Sequence, residues 1–426
     1  MMNYRVVVAF ALFSIGACYG HAGAASAASW RVGVPIVTYW AGPGYPGGAE
    51  LDDASAVQLA EGGWNLVWCR EKALDVVQRH GLRGLITHPL LTPAALDDSK
   101  QREALDAFVA RVRSHSGLYA YHLTDEPSAD KFPALGKLVA YLRERDPAHL
   151  AYINLLPTYA NNKQLGIEGK KVEAYNEHLR QYVEVVRPSL LSYDHYQFTN
   201  TGDASDYFLN LALIRAKAQA SDLPFLNIVQ ASCWVPGSAA SPYAPRVPTG
   251  DEMRYLVYTT LAYGAQGISY YVYCYPKHEG GIAHADGTPT PLYHALRLFN
   301  REFVAIAKEL QPLKSLGVFH AGMLPPGTVP LPNESAFTLD PPVPEMEYQA
   351  GKRVQGVLLG RFGVSDATTH VLVVNLDYKA ERFVVLKGSA ALEAFDATRG
   401  QWMPVGGAQA ELHLGKGEGK LVRVQP

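Results

Sequence analysis

The stretch LYAYHLTDE (118–126) is a run of apolar and aromatic residues that ends in two adjacent acids and is followed by a proline. It is the fourth of eight such runs between residues 30 and 311, and amphipathic stretches with apolar residues every three or four positions separate them. The other seven runs are 32–40, 64–69, 82–88, 150–156, 190–196, 224–230 and 267–275. Alternating strand and helix patterns predict a parallel sheet, and eight β-α units predict an α/β fold of the (β/α)8 TIM-barrel type.

The loops of the predicted barrel differ by type. Links from helix to strand are short, whereas several links from strand to helix are long and rich in Gly and Pro, as in AGPGYPGGAE (41–50) and PKHEGGIAHADGTPT (276–290). In a TIM barrel the loops that follow the strands surround the active site. The asymmetry therefore predicts a ligand site at the carboxyl ends of the strands.

Three regions are predicted along the chain. Residues 1–28 combine one positive charge, a short apolar run and small residues, as an export signal does. Residues 29–311 form the barrel, and the strand-like alternation of residues 312–426 predicts an antiparallel β-sandwich without helices that packs on it. Residues 323–350, which are rich in Pro, are interpreted as a long excursion from that sandwich.

The same N-terminal segment leaves the mode of export open. Cleavage near residues 25–28 would release the protein to the periplasm or the outside, whereas the surroundings of Cys18 loosely resemble a lipobox and would leave a lipid anchor. No later segment has 18 uninterrupted apolar residues, so no transmembrane helix is expected. Cys69, Cys233 and Cys274 remain after cleavage and are interpreted as buried and inert.

Composition narrows the class of partner. The formal net charge is -2 and no run of Lys or Arg stands out, which argues against nucleic acid and anionic membranes. The 25 Tyr and 6 Trp residues suit ligands with both apolar faces and hydroxyl groups, as sugars have. The chain has neither a CxxC pair nor an HExxH motif, so we expect no metal and no cofactor.

Strand alternation predicts which side chains of the fourth run face the barrel interior. If Glu126 points into the mouth, Thr124 and His122 share its side, while Tyr121 and Leu123 pack against helices. Adjacent Asp125 has a structural alternative, because it could cap the following helix or pair with a histidine.

A retaining glycosidase of the usual kind needs a second carboxylate across the cleft, about 5–5.5 Å from the acid. The seventh run ends in Gln230, whose amide cannot form a glycosyl ester. Two other sources of the nucleophile remain open. Asp194, in the sixth run, could be the nucleophile, or a 2-acetamido group of the substrate could attack the anomeric carbon. In the second case Asp125 would orient the acetamide and Glu126 would act as acid and base.

Thr124-Asp125-Glu126-Pro127 resembles the strand-four motif of the substrate-assisted β-N-acetylhexosaminidases of glycoside hydrolase families 20 and 123, particularly the β-N-acetylgalactosaminidases of family 123. Tyr193-Asp194 is similar to the strand-six Tyr-Asp of family 18 chitinases, in which the tyrosine holds the acetamide. The acid at the end of strand four also resembles that of the large clan of barrel glycosidases, but there an Asn precedes the Glu and here an Asp does.

These residues predict an exported glycoside hydrolase that releases β-linked N-acetylhexosamine, GalNAc in preference to GlcNAc. Its catalytic residues are Asp125 and Glu126. The candidate substrate-binding residues are Tyr39, His88, His122, Asn154, Tyr193, Asp194, Tyr196, Gln230, Trp234 and Tyr273. The alternatives are a β-galactosidase-like or β-glucanase-like hydrolase that uses Glu126 and Asp194, and a glycan-binding surface protein without catalysis.

Overall fold

Eight parallel strands form the first part of the computed structural model, which describes residues 30–235, 244–333 and 335–425. They are β1 (Ile36–Trp40), β2 (Leu66–Cys69), β3 (Arg83–Ile86), β4 (Leu118–Asp125), β5 (Leu150–Leu155), β6 (Leu191–His195), β7 (Phe225–Gln230) and, after the two-residue strand β8 (Ser232–Cys233), β9 (Gly267–Tyr271). Their order is β1-β9-β7-β6-β5-β4-β3-β2. Each of the eight strands lies within one of the predicted runs.

The barrel closes where β1 meets β2. The Asn65 N–H donates to the carbonyl oxygen of Val37 at 3.0 Å, and the Val37 N–H donates to Asn65 Oδ1, also at 3.0 Å. Further along the seam, Trp68 Nε1 donates to the carbonyl oxygen of Tyr39 at 2.6 Å. Side-chain and main-chain hydrogen bonds therefore replace a regular ladder here, and the predicted TIM barrel is confirmed.

Helices cover the outside of the barrel. They are α1 (Asp53–Glu61), α2 (Leu74–Arg79), α3 (Ser99–Val112), α4 (Phe132–Arg145), α5 (Asn162–Leu165), α6 (Lys171–Gln181), α7 (Tyr207–Ala220), α8 (Gly250–Ala262) and α9 (Pro291–Leu310). Local sequence determines several starts: Asp52 with Ser55, Asn161 with Gln164, and Thr249 with Glu252 form capping boxes. None of the helices described is long and apolar enough to cross a membrane.

The residues after α9 form two packed antiparallel sheets, and the described part of this region has no helix. A six-stranded sheet has the order β11 (Lys314–Gly322), β13 (Gly356–Val364), β14 (Ala367–Asn375), β19 (Gly419–Val424), β16 (Leu392–Asp396), β17 (Gln401–Pro404). A three-stranded sheet has the order β12 (Phe337–Leu339), β15 (Arg382–Gly388), β18 (Gln409–Leu414). Buried Val and Leu side chains of both sheets share one core, so the predicted β-sandwich is confirmed.

The Pro-rich segment 323–350 contributes a strand to the sandwich and is not only a loop that leaves it. Its strand β12 pairs with β15 and thereby supplies one edge of the smaller sheet. The larger sheet packs against α8, where a methyl group on Gly360 would lie only 2.2 Å from the carbonyl oxygen of Ala262. A glycine at this position lets the strand approach the helix closely.

The predicted export signal (1–28) and Cys18 lie outside the described residues. The three remaining cysteines are free thiols, of which Cys69 and Cys233 are buried and Cys274 is partly exposed. Burial raises the pKa of the Cys69 thiol to about 12, which keeps it protonated and unreactive at neutral pH.

Candidate active site

The carboxyl end of β4 departs from regular strand alternation. A β-bulge between His122 and Thr124 brings Asp125 into register with Asn154 of β5. Residues in register share a face of the sheet, so Asp125 faces the barrel interior with Asn154. Our expectation that Thr124 faces the interior is therefore wrong, because Thr124 pairs with Ile153, which faces the other way.

The bulge leaves the earlier part of β4 as expected. Tyr121 points outward, where its hydroxyl donates to Asp146 Oδ2 at 2.5 Å and its ring lies near Phe108 of α3. His122 points inward, edge-on to the ring of Trp68 at 4.8 Å. The predicted alternation thus holds up to the bulge and fails after it.

Glu126 has a backbone φ of +45°, in the left-handed region that residues other than glycine rarely adopt. Its N–H donates to the carbonyl oxygen of Asn154 at 2.9 Å, which keeps the residue attached to β5 while the chain turns. Such a conformation costs on the order of 1–3 kcal/mol, and residues held in it occur in tight turns and cluster at active sites. Because the turn follows the bulge directly, the consecutive carboxylates of Asp125 and Glu126 both reach the barrel mouth.

Asn154 joins the carboxylates of two strands. Its Nδ2 donates to Asp125 Oδ1 and to Asp194 Oδ1, each at 3.1 Å. Both oxygens are bonded to one nitrogen, so they lie no more than about 6 Å apart, within the span of a glycosidase cleft. Asn154 is a predicted site residue that the structure brings to the acids.

A hydrogen-bond chain below Asn154 fixes the orientation of its amide. Asn154 Oδ1 can only accept, so Ser192 Oγ donates to it at 3.0 Å. The Ser192 hydroxyl has then used its single proton, so the Tyr152 hydroxyl donates to Ser192 Oγ at 2.8 Å. All of these side chains are buried. A flipped amide would lose the bond from Ser192 and turn its oxygen toward two carboxylates.

Asp194 is buried beneath the mouth, with 3% of its surface exposed. It accepts from Asn154, and it lies close enough to Glu126 and Tyr196 to influence their pKa values. Tyr159, in the loop after β5, lies near Asp194 and Glu126, and 46% of its surface is exposed. The predicted residues Asp125, Glu126, Asn154, Asp194 and Tyr196 therefore form one cluster.

The three carboxyl groups have raised pKa values for related reasons. Asp125 and Glu126 are open to solvent at the mouth but surrounded by protein on their other sides, and this partial burial raises the pKa of Asp125 to about 6. Burial, followed by the charge of Asp125, raises the pKa of Glu126 to about 7. Burial raises the pKa of Asp194 well above its usual range, and the neighbouring Glu126 adds to the effect. Asp194 is therefore the group that holds a proton most firmly, while Glu126 titrates near neutral pH.

An aromatic wall flanks the acids on the β6–β9 side. The ring of Tyr196 lies 4.7 Å from that of Trp234 and 5.0 Å from that of Tyr271. His278 Nε2 lies 3.2 Å from the Tyr271 hydroxyl. The wall is partly exposed, as a sugar-stacking surface must be. The structure thus brings the predicted residues Trp234 and Tyr196 together in this wall.

A polar cavity of about 430 Å³ adjoins the other side of Glu126. Its remaining lining residues are Ser128, Leu156, Asn161, Lys163 and Gln164. The acid thus lies between an aromatic wall and a polar cavity.

Gln230 is not a ligand-binding residue in this structure. Its Oε1 accepts from the N–H of Phe198 at 2.7 Å, and its Nε2 donates to the carbonyl oxygens of Phe198 at 3.0 Å and Arg246 at 2.6 Å. The side chain is fully buried. The amide anchors two loops and offers both its donors to the backbone, so the prediction that it contacts substrate is corrected.

Three predicted tyrosines also lie away from the acids. Tyr39 is buried and donates to the carbonyl oxygen of Pro43 at 2.6 Å, and Tyr273 accepts from Gln58 Nε2 at 2.7 Å. Tyr193 is buried toward Tyr207 and Tyr175 of the helix layer. Strand alternation explains two of the three, because neighbours of an inward Trp40 or an inward Asp194 must face outward.

The two predicted histidines also differ in position: His122 lies inside the barrel and His88 does not. His88 stacks on Phe108 of α3, with ring centroids 4.1 Å apart, and lies outside the acid cluster. His122 lies inside the barrel, where burial lowers its pKa to about 4, and its Nε2 has no hydrogen-bond partner among the described residues. His122 is therefore a neutral group beneath the site, and His88 is corrected to a packing residue.

Sequence reasoning missed Tyr45, Tyr159 and Ser192. Tyr45 lies near Asp125 across the mouth, and its ring is 4.8 Å from that of Trp68. Two of these residues lie in loops after strands, where no periodic signal shows direction. Ser192 has the same parity in β6 as Asp194, so strand alternation alone could have identified it.

In the described part of the chain, no group of three or more His, Cys, Asp or Glu side chains is arranged to hold a metal ion.

No protein-family model matches the chain, and no curated protein sequence matches it. Several solved structures resemble it at low identity. A family GH27 β-L-arabinopyranosidase from Geobacillus stearothermophilus is 10% identical, with 93% of this chain and 97% of that one covered and a TM-score of 0.49.

A β-galactosidase from the psychrophilic Marinomonas ef1 is also 10% identical, with 65% of this chain covered and a TM-score of 0.46. A family GH2 β-galacturonidase from Eisenbergiella tayi is 12% identical, with 63% of this chain covered and a TM-score of 0.43. The chain spans 60% and 51% of the lengths of these two proteins, respectively.

Proposed function

We propose that the protein is a retaining exo-glycosidase that removes β-linked N-acetylhexosamine with help from the substrate's own acetamide group. The observation that carries the proposal is the pair of consecutive carboxylates, Asp125 and Glu126, that the bulge and the left-handed turn bring to the mouth together. Two acids with different pKa values can take the two roles that this reaction needs.

In the first step the acetamide carbonyl oxygen attacks the anomeric carbon, and the bond from that carbon to the leaving oxygen breaks. The product of this step is a cyclic oxazolinium ion. Glu126 donates its proton to the leaving oxygen. In the second step water attacks the anomeric carbon, Glu126 accepts the proton of that water, and the oxazolinium ring opens to restore the acetamide. The anomeric configuration is retained, because each step inverts it.

The pKa of Glu126, about 7, suits a group that must donate and then accept a proton near neutral pH. Asp125, with a pKa of about 6, is mostly ionised there and accepts the acetamide N–H, which aims the carbonyl oxygen at the anomeric carbon. Its negative charge also stabilises the positive charge of the oxazolinium. Asn154 holds Asp125 in place through its 3.1 Å hydrogen bond.

The two sides of the mouth suit the two parts of the substrate. The wall of Tyr196, Trp234 and Tyr271 offers faces on which a sugar ring can stack. The polar cavity beside Glu126 lies next to the proton donor and therefore suits the leaving group. The preference for GalNAc over GlcNAc comes from the resemblance of residues 124–127 to family 123.

The second candidate is a β-galactosidase-like or β-glucanase-like hydrolase with Asp194 as nucleophile. Its support is that Asp194 lies beside Glu126. One feature weighs against it: burial favours protonated Asp194, which is a poor nucleophile.

We further propose that residues 1–28 are removed on export, and that residues 312–426 are a capping module without chemistry of its own. The amino-terminal sequence of protein secreted by an expressing bacterium tests the first part. A start near residues 26–29 supports it, and a lipid-modified Cys18 at the terminus supports the anchored alternative.

The first experiment measures hydrolysis of p-nitrophenyl β-GalNAc, β-GlcNAc, β-galactoside and β-glucoside by the purified protein and by Asp125→Asn and Glu126→Gln. Cleavage of the acetamido sugars alone, lost in both variants, supports substrate assistance. Cleavage of the galactoside or glucoside, with Asp194→Asn inactive, supports the second candidate. Specific glycan binding with no turnover of any substrate would support the alternative of a glycan-binding protein without catalysis.

A second experiment separates the two mechanisms without relying on substrate preference. A thiazoline derived from the N-acetylhexosamine mimics the cyclic intermediate and should inhibit only a substrate-assisted enzyme. A 2-deoxy-2-fluoroglycoside traps an enzymic nucleophile, and peptide mapping would then find the label on Asp194. Inhibition by the first and no label from the second is the expected result.

A further inference from the structure

A second concave surface lies at the opposite end of the barrel from the carboxylates. Its volume is about 1500 Å³. Segments that precede β1, β6, β7 and β9 line it, including Gly33, Ser189, Pro224 and Gln266. These are the amino ends of the strands, whereas the acids lie at the carboxyl ends of β4 and β6. The groove therefore shares no residue with the candidate active site.

The groove is strongly positive. Its charged lining residues are Arg31, Arg143, Arg187, Arg215, Lys314 and a single acid, Asp222. None of the five cations forms a salt bridge among the described residues, although arginines elsewhere, such as Arg145 and Arg246, pair with Asp or Glu. The positive charge is unexpected in a protein with a net charge of -2.

Two of the cations, Arg143 and Arg187, are also close enough to repel each other. Burial lowers the pKa of Arg143, and the charge of Arg187 lowers it further. The Arg143 guanidinium donates to the backbone carbonyl oxygen of Arg187, and this bond holds the Arg143 side chain beside residue 187 at one edge of the groove. Unpaired like charges destabilise a folded protein unless an anion binds between them.

The size and the other lining groups limit what the anion can be. A volume of about 1500 Å³ exceeds the roughly 300–1,000 Å³ of small-molecule sites, which favours a ligand larger than one small molecule. Arginine forks match planar carboxylate and tetrahedral sulfate or phosphate oxygens. The lining also includes neutral groups that can bond hydroxyls, namely Ser189, Ser221 and the amides of Gln219 and Gln311, whose oxygens can still accept although each Nε2 donates to a backbone carbonyl oxygen.

We propose that this groove binds a linear acidic glycan, with its sulfate or carboxylate groups on the arginines and its hydroxyls on the serine and glutamine side chains. A nucleic acid is less suitable, because Trp30 is the one partly exposed aromatic ring described in the lining, and single strands need several such platforms. The groove would hold an acidic polysaccharide at a site distinct from the candidate active site. The proposal does not depend on which sugar that site cleaves.

Titration calorimetry with dextran sulfate, polygalacturonate and neutral dextran tests the proposal on the full protein. We expect binding of one or both acidic polymers, none of neutral dextran, and affinity that falls as salt rises. The double variant Arg187→Asn/Lys314→Gln removes two exposed cations, and Asn tolerates the φ of +54° at position 187. Its affinity should fall at least tenfold.

The matched control is Lys100→Gln/Arg102→Gln, which removes two exposed cations at the start of α3, outside the groove. It should change the affinity less than twofold, and neither double variant should alter turnover of a p-nitrophenyl glycoside. No binding of either acidic polymer, or equal weakening in the control, would overturn the proposal. Equal or tighter binding of single-stranded DNA or of anionic phospholipid vesicles would overturn the choice of a glycan. Lost turnover alone would concern the proposed function instead.

Discussion

The carboxyl ends of β4 and β7 both open on the barrel mouth, yet only one of them presents reactive groups. At β4 a bulge and a left-handed residue expose two consecutive carboxyl groups. At β7 the amide of Gln230 forms three hydrogen bonds to the backbone of two loops and is fully buried. Position at the end of a barrel strand therefore does not make a residue functional, because a group already bonded to the protein has little left for a ligand.

The comparison also separates two uses of a polar side chain. Asp125 and Glu126 are exposed at the mouth and have raised pKa values, a combination that occurs frequently at functional sites. Gln230 satisfies its hydrogen bonds and stabilises loops that surround the mouth. Four substitutions test this distinction.

Replacing the acid at β4 should have the largest effect. Glu126→Gln removes the proton donor, so kcat for a p-nitrophenyl glycoside should fall by about 10²–10⁴-fold. Steady-state kinetics with a more activated dinitrophenyl leaving group, which needs no proton, should recover most of the first step. The control is Glu279→Gln, an exposed glutamate in the two-residue strand β10 (Glu279–Gly280), which pairs with β8. Equal losses with both leaving groups would contradict acid catalysis by Glu126.

Placing an acid at β7 should destabilise the protein without creating a nucleophile. Gln230→Glu replaces an NH₂ group that donates to two carbonyl oxygens with an oxygen that faces them. We expect the free energy of unfolding in urea to fall by about 3–5 kcal/mol, as for an unpaired buried charge. Gln401→Glu, an exposed control, should change it by less than about 0.5 kcal/mol. New β-galactosidase activity in Gln230→Glu would remove the distinction between the two strand ends.

The pH dependence of kcat/KM tests the division of roles at β4. Activity needs ionised Asp125 and protonated Glu126, so the profile should be bell-shaped, with an acidic limb near a pKa of about 6 and a basic limb near a pKa of about 7. Asp125→Asn should lose about 10²-fold in kcat and the acidic limb. Its basic limb should move to lower pH, because the charge of Asp125 raises the pKa of Glu126.

The raised pKa values of Asp125 and Glu126 also affect how the stability of the fold depends on pH. A carboxyl group whose pKa is higher in the folded state stabilises the fold below its unfolded pKa near 4, and this contribution is lost as pH rises through the folded value. These two groups should therefore contribute a loss of stability between about pH 4 and pH 7, opposite in sign to the contribution of buried histidines such as His122. The difference in thermal stability between wild type and Asp125→Asn should therefore change across that window, with the wild type losing relative to the variant as pH rises, and a constant difference would contradict the raised pKa values.

The smallest effect should come from Ser192→Ala. Without the hydroxyl, Asn154 Oδ1 loses its donor and the amide that holds Asp125 and Asp194 can rotate. We expect about a tenfold fall in kcat and a loss of about 1–2 kcal/mol in stability. Ser269→Ala is the matched control, because Ser269 Oγ is buried and has no hydrogen-bond partner among the described residues. A similar fall in kcat in both variants would rule out the positioning role.

Much of this arrangement could be read from local patterns. The runs of β-branched and aromatic residues predicted all eight barrel strands, and the change to period-two alternation predicted the sandwich. Alternation could also have excluded Tyr193, because Asp194 beside it faces inward. The error there came from weighing a resemblance of two residues above the geometry of a strand.

Other features had no local signal. Nothing in LYAYHLTDE indicates a bulge at Leu123, because the bulge depends on how β4 aligns with β5. Whether the amide of Gln230 is available to a ligand depends on its hydrogen bonds to the backbone of residues 198 and 246, which are distant in the chain. The positive groove likewise joins side chains that come from six separate segments.

The amino-acid sequence by itself determined the barrel, the sandwich and the presence of two acids at the end of the fourth strand. It could do so because the burial of one face repeats with a short period that any local stretch displays. Only the tertiary structure decided which polar groups are free, since a hydrogen bond is a property of two partners and their register. For this protein, that decision separates Asp125 and Glu126 from Gln230.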